Sequence, residues 1–143
     1  MSDGHVTENF TRKEFACKCG CGKNFYVSPL LARVLQYLRE RVGEALLVTS
    51  GMRCAKHNRA VGGSSESYHK LRAGILLASD ITFADPAKRT PTGMLKLYVL
   101  ADNLLRYGVE PGGGLGLYPT WLHIDARGET SARWIDKSWE WPE

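Results

Sequence analysis

Stretches whose apolar residues recur every three or four positions alternate along this chain with shorter runs that are apolar throughout. From Ser28 to Val42 the residues Leu30, Leu31, Val34, Leu35 and Leu38 share one helical face, and Ser28 and Pro29 occupy the cap and first-turn positions. This segment predicts a helix. A second is expected from Thr92 to Tyr107, where Met94, Leu95, Tyr98, Leu100, Ala101, Leu104 and Leu105 supply the apolar face and Gly108 ends it. Between them, ALLVTSG (Ala45–Gly51) and ILLASDITF (Ile75–Phe83) are short apolar runs that read as buried strands. After the second helix a glycine cluster leads into two apolar runs on either side of Pro119, the pattern of a closing hairpin. Near the start, Thr11 and Glu14 in FTRKEF have the spacing of a capping box that opens a short helical turn. No internal repeat is present, and strands and helices do not alternate strictly. The expected class is α+β, a small antiparallel sheet with flanking helices.

Two segments fit neither period. CKCGCGKN, Cys17 to Asn24, is too rich in Gly and Cys for regular structure and reads as a tight loop. MRCAKHNRAVGGSSESYH, Met52 to His69, reads as a long polar loop, and long irregular segments inside folded domains are more often functional than idle.

A length of 143 residues suits one domain, residues 1–143, with a core of its own, and 43% hydrophobic with 24% charged residues is a globular composition. The net charge of +4 comes from scattered Lys and Arg, so no basic arm is formed and no nucleic-acid partner is expected. No apolar run is long enough to span a bilayer, and no membrane partner is expected. The polar start MSDGHVTENF lacks the apolar segment of a signal peptide, which predicts synthesis in the cytoplasm. Trp134, Trp139 and Trp141 are expected to cover the core, and the protein is expected to be a monomer.

Of four histidines, two lie beside features that suit a metal: His69 in SYH and His123 in WLHID. Asp80 stands in an apolar strand, where a carboxylate is costly to bury unless something positive meets it. Two imidazoles and one carboxylate with a fourth position open is the ligand set of a catalytic zinc. Taken singly, each of the three also reads as an ordinary polar residue. Cys54 and His57 offer a nucleophile and a base, but no orienting third group accompanies them.

Taken together, TSGMRCAKHNRAVGGSSESYH (Thr49–His69), the following ASDI and the closing GLGLYPTWLHIDARG resemble the zinc D-alanyl-D-alanine carboxypeptidase family, which shares its fold with the hedgehog signalling domain. The resemblance runs from Phe10 onward and rests on four marks in order: an SGxR turn, an SxH ligand, an Asp ligand and a closing HxD. It implies a hedgehog/DD-peptidase-like fold and zinc held by His69, Asp80 and His123. It also implies that Arg53, Ser67 and Tyr118 meet the substrate, a bacterial peptidoglycan stem peptide cut by D,D- or L,D-carboxypeptidase or endopeptidase action. A guanidinium suits such a substrate because it pairs bidentately with a terminal carboxylate. Acting on the cell wall after release or delivery, as phage enzymes do, is the implied setting. A non-catalytic wall-binding module of the same fold is the rival reading.

The chain departs from the family pattern twice. The motif HxxGxAxD separates its His and Asp by seven positions, whereas His69 and Asp80 stand eleven apart; KLRAGILL is read as a connection lengthened by four residues, which favours Asp80 over Asp85. Several branches carry an acid three positions before the last His, and here that position holds Thr120. Asp125 is therefore the candidate general base or orienting group, with Glu66 and Glu110 behind it. Relatives with a similar CxCGCG start also carry a Cys after SGxR. Cys17, Cys19, Cys21 and Cys54 are accordingly read as a second, structural zinc site, as disulfides or as free thiols.

Overall fold

In a computed structural model the described residues are 4–108, 112–128 and 130–143. A short antiparallel hairpin, β1 (His5–Thr7) and β2 (Phe10–Thr11), leads into a 3-10 turn at Arg12–Phe15. The Thr11 backbone N–H donates to Glu14 at 2.8 Å, as the capping-box spacing requires. After the cysteine-rich loop, β3 (Tyr26–Val27) precedes α1 (Pro29–Val42). Ser28 caps α1 by accepting from the Leu31 N–H, and Gly43, at φ 68°, ends it in the left-handed conformation that glycine adopts most cheaply.

The main sheet begins with β4 (Leu46–Ser50), followed by the six-residue α2 (Ala55–Ala60). ILLASDITF divides into β5 (Ile75–Leu76) and β6 (Ala78–Phe83). Thr90 caps α3 (Pro91–Asn103), which runs on into a π-helical turn at Leu104–Gly108. The expected closing hairpin forms as β7 (Gly113–Leu117) and β8 (Leu122–Asp125), and β9 (Ser131–Ile135) completes the set.

The sheet order is β4-β6-β8-β7-β9. Every neighbouring pair is antiparallel except β7 and β9, which run parallel, so the fold is the expected α+β one, its small antiparallel sheet extended by one parallel edge strand. β8 returns the chain to the end of the sheet where β7 begins, so β9 starts there and runs parallel to β7. Side chains alternate across the sheet. Ile81, Leu122, Ile124, Leu115 and Leu117 join Leu31, Leu35, Met94 and Leu97 in the core, all at most 1% exposed, so this face packs on α1 and α3. The opposite face carries the polar residues Asp80, His123 and Asp125.

The lengthened connection has its own structure. Arg72 and Ile75 exchange backbone hydrogen bonds of 2.9 and 3.0 Å around Ala73 (φ 52°) and Gly74 (φ 80°), a tight turn with both central residues left-handed. β5 then pairs in parallel with β3 and buries Leu76 completely. These residues thus form a docked turn outside the main sheet. Asp85 lies beyond β6, where its carboxylate accepts the Ala87 N–H and opens a 3-10 turn.

Two expectations needed correction in the C-terminal segment. Trp139 is buried in the core as expected, but Trp141 is exposed and stacks edge-on against Trp139. Trp134, on β9, faces the polar side of the sheet.

Candidate metal centre

One row across the sheet builds the site. Ser50, Asp80, His123, Gly116 and Trp134 are successive register partners on β4, β6, β8, β7 and β9. Partners in register project to the same face, so Asp80 and His123 are neighbours by strand pairing alone. His69 arrives from the loop before β5.

His69 Nε2 lies 3.1 Å and His123 Nδ1 3.3 Å from the same oxygen, Asp80 Oδ1. One ligand atom from each of the three residues falls within 4.8 Å of the others, a separation suited to a common metal ion. All three side chains are buried.

The unused nitrogen of each imidazole is occupied. His69 Nδ1 donates to the Gly51 carbonyl at 2.7 Å, which fixes the tautomer that leaves Nε2 as the acceptor. His123 Nε2 donates to Asp125 Oδ2 at 2.7 Å, which leaves Nδ1 toward Asp80. The two rings therefore present opposite nitrogens to one point.

The SGxR turn owes its residue types to this arrangement. A Cβ on Gly51 would lie 2.5 Å from the Phe15 carbonyl, so only glycine lets β4 end against the Arg12–Phe15 turn. Met52 N–H donates to that carbonyl, and Arg53 N–H donates to the His69 carbonyl, each at 2.8 Å. The Arg53 guanidinium donates to Ser50 Oγ at 3.2 Å and to Asp80 Oδ2 at 3.3 Å. Arg53 thus braces the carboxylate and also lines the cleft.

Asp125 is enclosed. Its Oδ1 accepts from the N–H groups of Gly114 and Arg127 and from Arg127 Nε, while Oδ2 accepts from His123 and Arg127 Nη2. Its side chain is fully buried. Burial pushes its pKa up, but the Arg127 and His123 hydrogen bonds outweigh this and hold the carboxyl well below the usual range. A carboxylate so saturated has no lone pair free to take a proton from cleft water. Its geometry fits the orienting role of the two considered, not that of general base.

The same balance governs its neighbours. Burial also pushes the Asp80 pKa up, and the His123 and His69 hydrogen bonds reverse the direction. For His123 burial pushes the pKa down, and hydrogen bonds to Asp125 and Asp80 raise it above the ordinary imidazole value.

The three residues form the floor of an open cleft of about 470 Å³. Ser67 lines it and accepts the His69 N–H at 3.1 Å. Tyr118 lines it too, stacked on Trp121 with ring centroids 3.6 Å apart, and its hydroxyl accepts from Trp134 Nε1 at 3.0 Å. Glu66 stands exposed in the wall, the one carboxylate besides Asp80 among the described lining residues. Thr120 lines a different cavity, with Pro119 and Trp139. Glu110 lies outside the described residues.

Sequence reasoning missed Tyr68, Trp121, Arg127 and Trp134 in this lining. Arg127 stacks on Tyr68 at 4.4 Å while pairing with Asp125, and the D-A-R spacing was its available signal. The glycine alternation of β7 was another. A Cβ on Gly114 would lie 2.3 Å from Asp125 Oδ2, and one on Gly116 would lie 2.3 Å from the Trp134 ring. These glycines hold space for the side chains of adjacent strands.

The four cysteines also converge, with every Sγ within 4.8 Å of the others. Nucleophilic pairing of Cys54 with His57 has no support, because the Cys54 sulfur instead accepts the His57 backbone N–H at 3.4 Å.

Searches of curated proteins and of solved structures return no significant match. The peptidase M15 family model matches residues 8–125, which takes in the SGxR turn, His69, Asp80, His123 and Asp125. That match covers well over half of the chain, and the chain belongs to the peptidase M15 family, a family of metallopeptidases.

Proposed function

We propose that this protein is a zinc peptidase that hydrolyses peptide bonds in bacterial peptidoglycan stem peptides, as a D,D- or L,D-carboxypeptidase or endopeptidase. The observation that carries the reading is the convergence of His69 Nε2, Asp80 Oδ1 and His123 Nδ1 at the floor of an open cleft. The donor set fits zinc: two imidazoles with fixed tautomers and one ionised carboxylate. Zinc held there supplies Lewis acidity toward a peptide carbonyl and makes water acidic near neutral pH.

The chain's own residues supply the rest. Asp125 and the Gly51 carbonyl hold the two imidazoles in place. Arg53 holds Asp80 through Nη2, Ser50 through Nε and Asn58 through Nη1, which leaves one proton on each Nη for a substrate carboxylate or carbonyl. The stacked Tyr118 and Trp121 form a flat wall for the sugar-proximal or apolar part of a stem peptide. With Asp125 saturated, Glu66, the exposed carboxylate among the described lining residues, is the candidate to carry the proton.

Thr120 supports a second reading. The position where several branches carry an acid holds a hydroxyl side chain and faces away from the cleft, which suits a metal-containing wall-binding module. Mass spectrometry of purified muropeptides after incubation separates the two. A peptidase releases D-alanine or splits cross-bridges, stops with chelator, resumes with zinc, and is inactive as His123→Ala. Zinc-loaded protein that binds the wall and leaves every muropeptide intact supports the module.

A further inference from the structure

We infer that Cys17, Cys19, Cys21 and Cys54 form a tetrathiolate site for a thiophilic divalent ion such as zinc, distinct from the His69, Asp80 and His123 centre. The inference does not depend on the catalytic reading.

The loop from Cys17 to Asn24 is closed at its base. Arg12 Nη2 donates to Asn24 Oδ1 at 2.8 Å and to the Phe25 carbonyl at 3.0 Å, and Phe15 and Phe25 are buried on either side. Within the loop, the side chains other than cysteine are two lysines and Asn24, and Gly20 and Gly22 take φ values of 77° and 68°. Apart from Cys17, which is buried in the core, the loop therefore has no apolar side chain to fix its path. What its backbone achieves is to turn three sulfurs toward a fourth, Cys54, thirty-three or more positions away in sequence.

The separations fit one shared ion. Cys17 and Cys19 Sγ lie 3.3 Å apart, and Cys19 and Cys54 Sγ 3.6 Å apart. A tetrahedron with metal–sulfur bonds of about 2.3 Å has edges of about 3.8 Å, whereas a disulfide requires about 2.05 Å. Four sulfurs meeting at one point is also the wrong pattern for two disulfides, which need two separate pairs. Four clustered thiolates would repel one another without a cation, and four neutral thiols gain little by meeting. Two backbone donors point at the cluster: Cys54 N–H to Cys17 Sγ at 3.5 Å and His57 N–H to Cys54 Sγ at 3.4 Å. Such N–H···S bonds stabilise metal-bound thiolate.

The position gives the site a task. Cys54 follows Arg53, which holds both the His69 carbonyl and the Asp80 carboxylate. An ion joining Cys54 to the N-terminal loop fixes the end of the turn that orients the catalytic centre.

The test uses the full chain expressed with zinc. Wild type is expected to carry about two zinc ions per chain, and Cys19→Ser/Cys21→Ser and His69→Ala/His123→Ala about one each. Cobalt-loaded His69→Ala/His123→Ala should show the sulfur-to-cobalt charge-transfer band. Four thiols should alkylate after denaturation with chelator and no reductant. Two or none alkylating would mean disulfides and overturn the proposal. So would an unchanged metal content in the cysteine variant together with no sulfur band in the histidine variant. Failure of catalysis alone leaves these readouts intact, so the two claims are judged separately.

Discussion

Asp80 on β6 and His123 on β8 are register partners, with Oδ1 and Nδ1 3.3 Å apart, and this pairing brings two of the three proposed metal ligands together by backbone hydrogen bonding alone. Loop residues must be held by side-chain contacts, but strand partners are positioned by the ladder itself. Only His69 depends on a loop, and it is fixed at both ends: its N–H by Ser67, its Nδ1 by Gly51.

Asp125→Asn should keep the fold of the sheet and lose metal affinity. The amide still accepts from His123, but it carries no charge to support the imidazole and leaves Arg127 without its ionic partner. Loss of such an orienting carboxylate lowers metal affinity about 10- to 100-fold. Competition with a chromophoric chelator measures it, and unchanged affinity would remove Asp125 from the centre.

Glu66→Gln separates binding from chemistry. Glu66 is exposed whereas the three ligands are buried, so zinc content should be unchanged while kcat falls by about 100-fold or more. A kcat within a factor of a few of wild type would assign the proton to another group.

Gly116→Ala should push Trp134 off the site. The new Cβ would meet the indole at 2.3 Å, and overpacking of this kind costs about 1–3 kcal/mol. Thermal unfolding should show the loss, and Trp134→Leu in the same chain should restore part of it. Equal stability of Gly116→Ala and wild type would contradict the packing described.

The raised pKa of His123 sets a pH dependence of opposite sign in the metal-free and zinc-loaded protein. In the metal-free protein the charged imidazole is stabilised by Asp125 and Asp80. That contribution is fully present below the unfolded value of about 6.5 and is lost as pH rises through the higher folded value. Zinc needs the neutral ring, so its affinity weakens as pH falls through the same range. Unfolding temperatures of metal-free and zinc-loaded protein from pH 5 to 9 should therefore diverge as pH rises. Parallel curves would contradict the assignment.

Much of this fold and centre can be read from the residues. The spacing of Leu31, Val34, Leu35 and Leu38 suffices for α1 because one face of a long helix must be buried. His69, Asp80 and His123 are read as a set through the resemblance that SGxR, SxH, ASDI and HxD carry together; of the three, only the acid in an apolar strand stands out on physical grounds alone. β9 was not legible: SARWI is half exposed at a sheet edge and lacks the apolar alternation of an inner strand, so Trp134 was misassigned with it. α2 escaped for a related reason, since its six residues bury Asn58 rather than an apolar stripe. The saturation of Asp125 could not be foreseen either, because it depends on Arg127 folding back and on the space left at Gly114.

Crystals of the zinc-loaded protein, measured on both sides of the zinc absorption edge, would locate the metal. An anomalous peak is expected about 2.0–2.2 Å from His69 Nε2, Asp80 Oδ1 and His123 Nδ1, with a fourth position open to the cleft. A fully zinc-loaded crystal with no peak among these three atoms would contradict a shared metal centre.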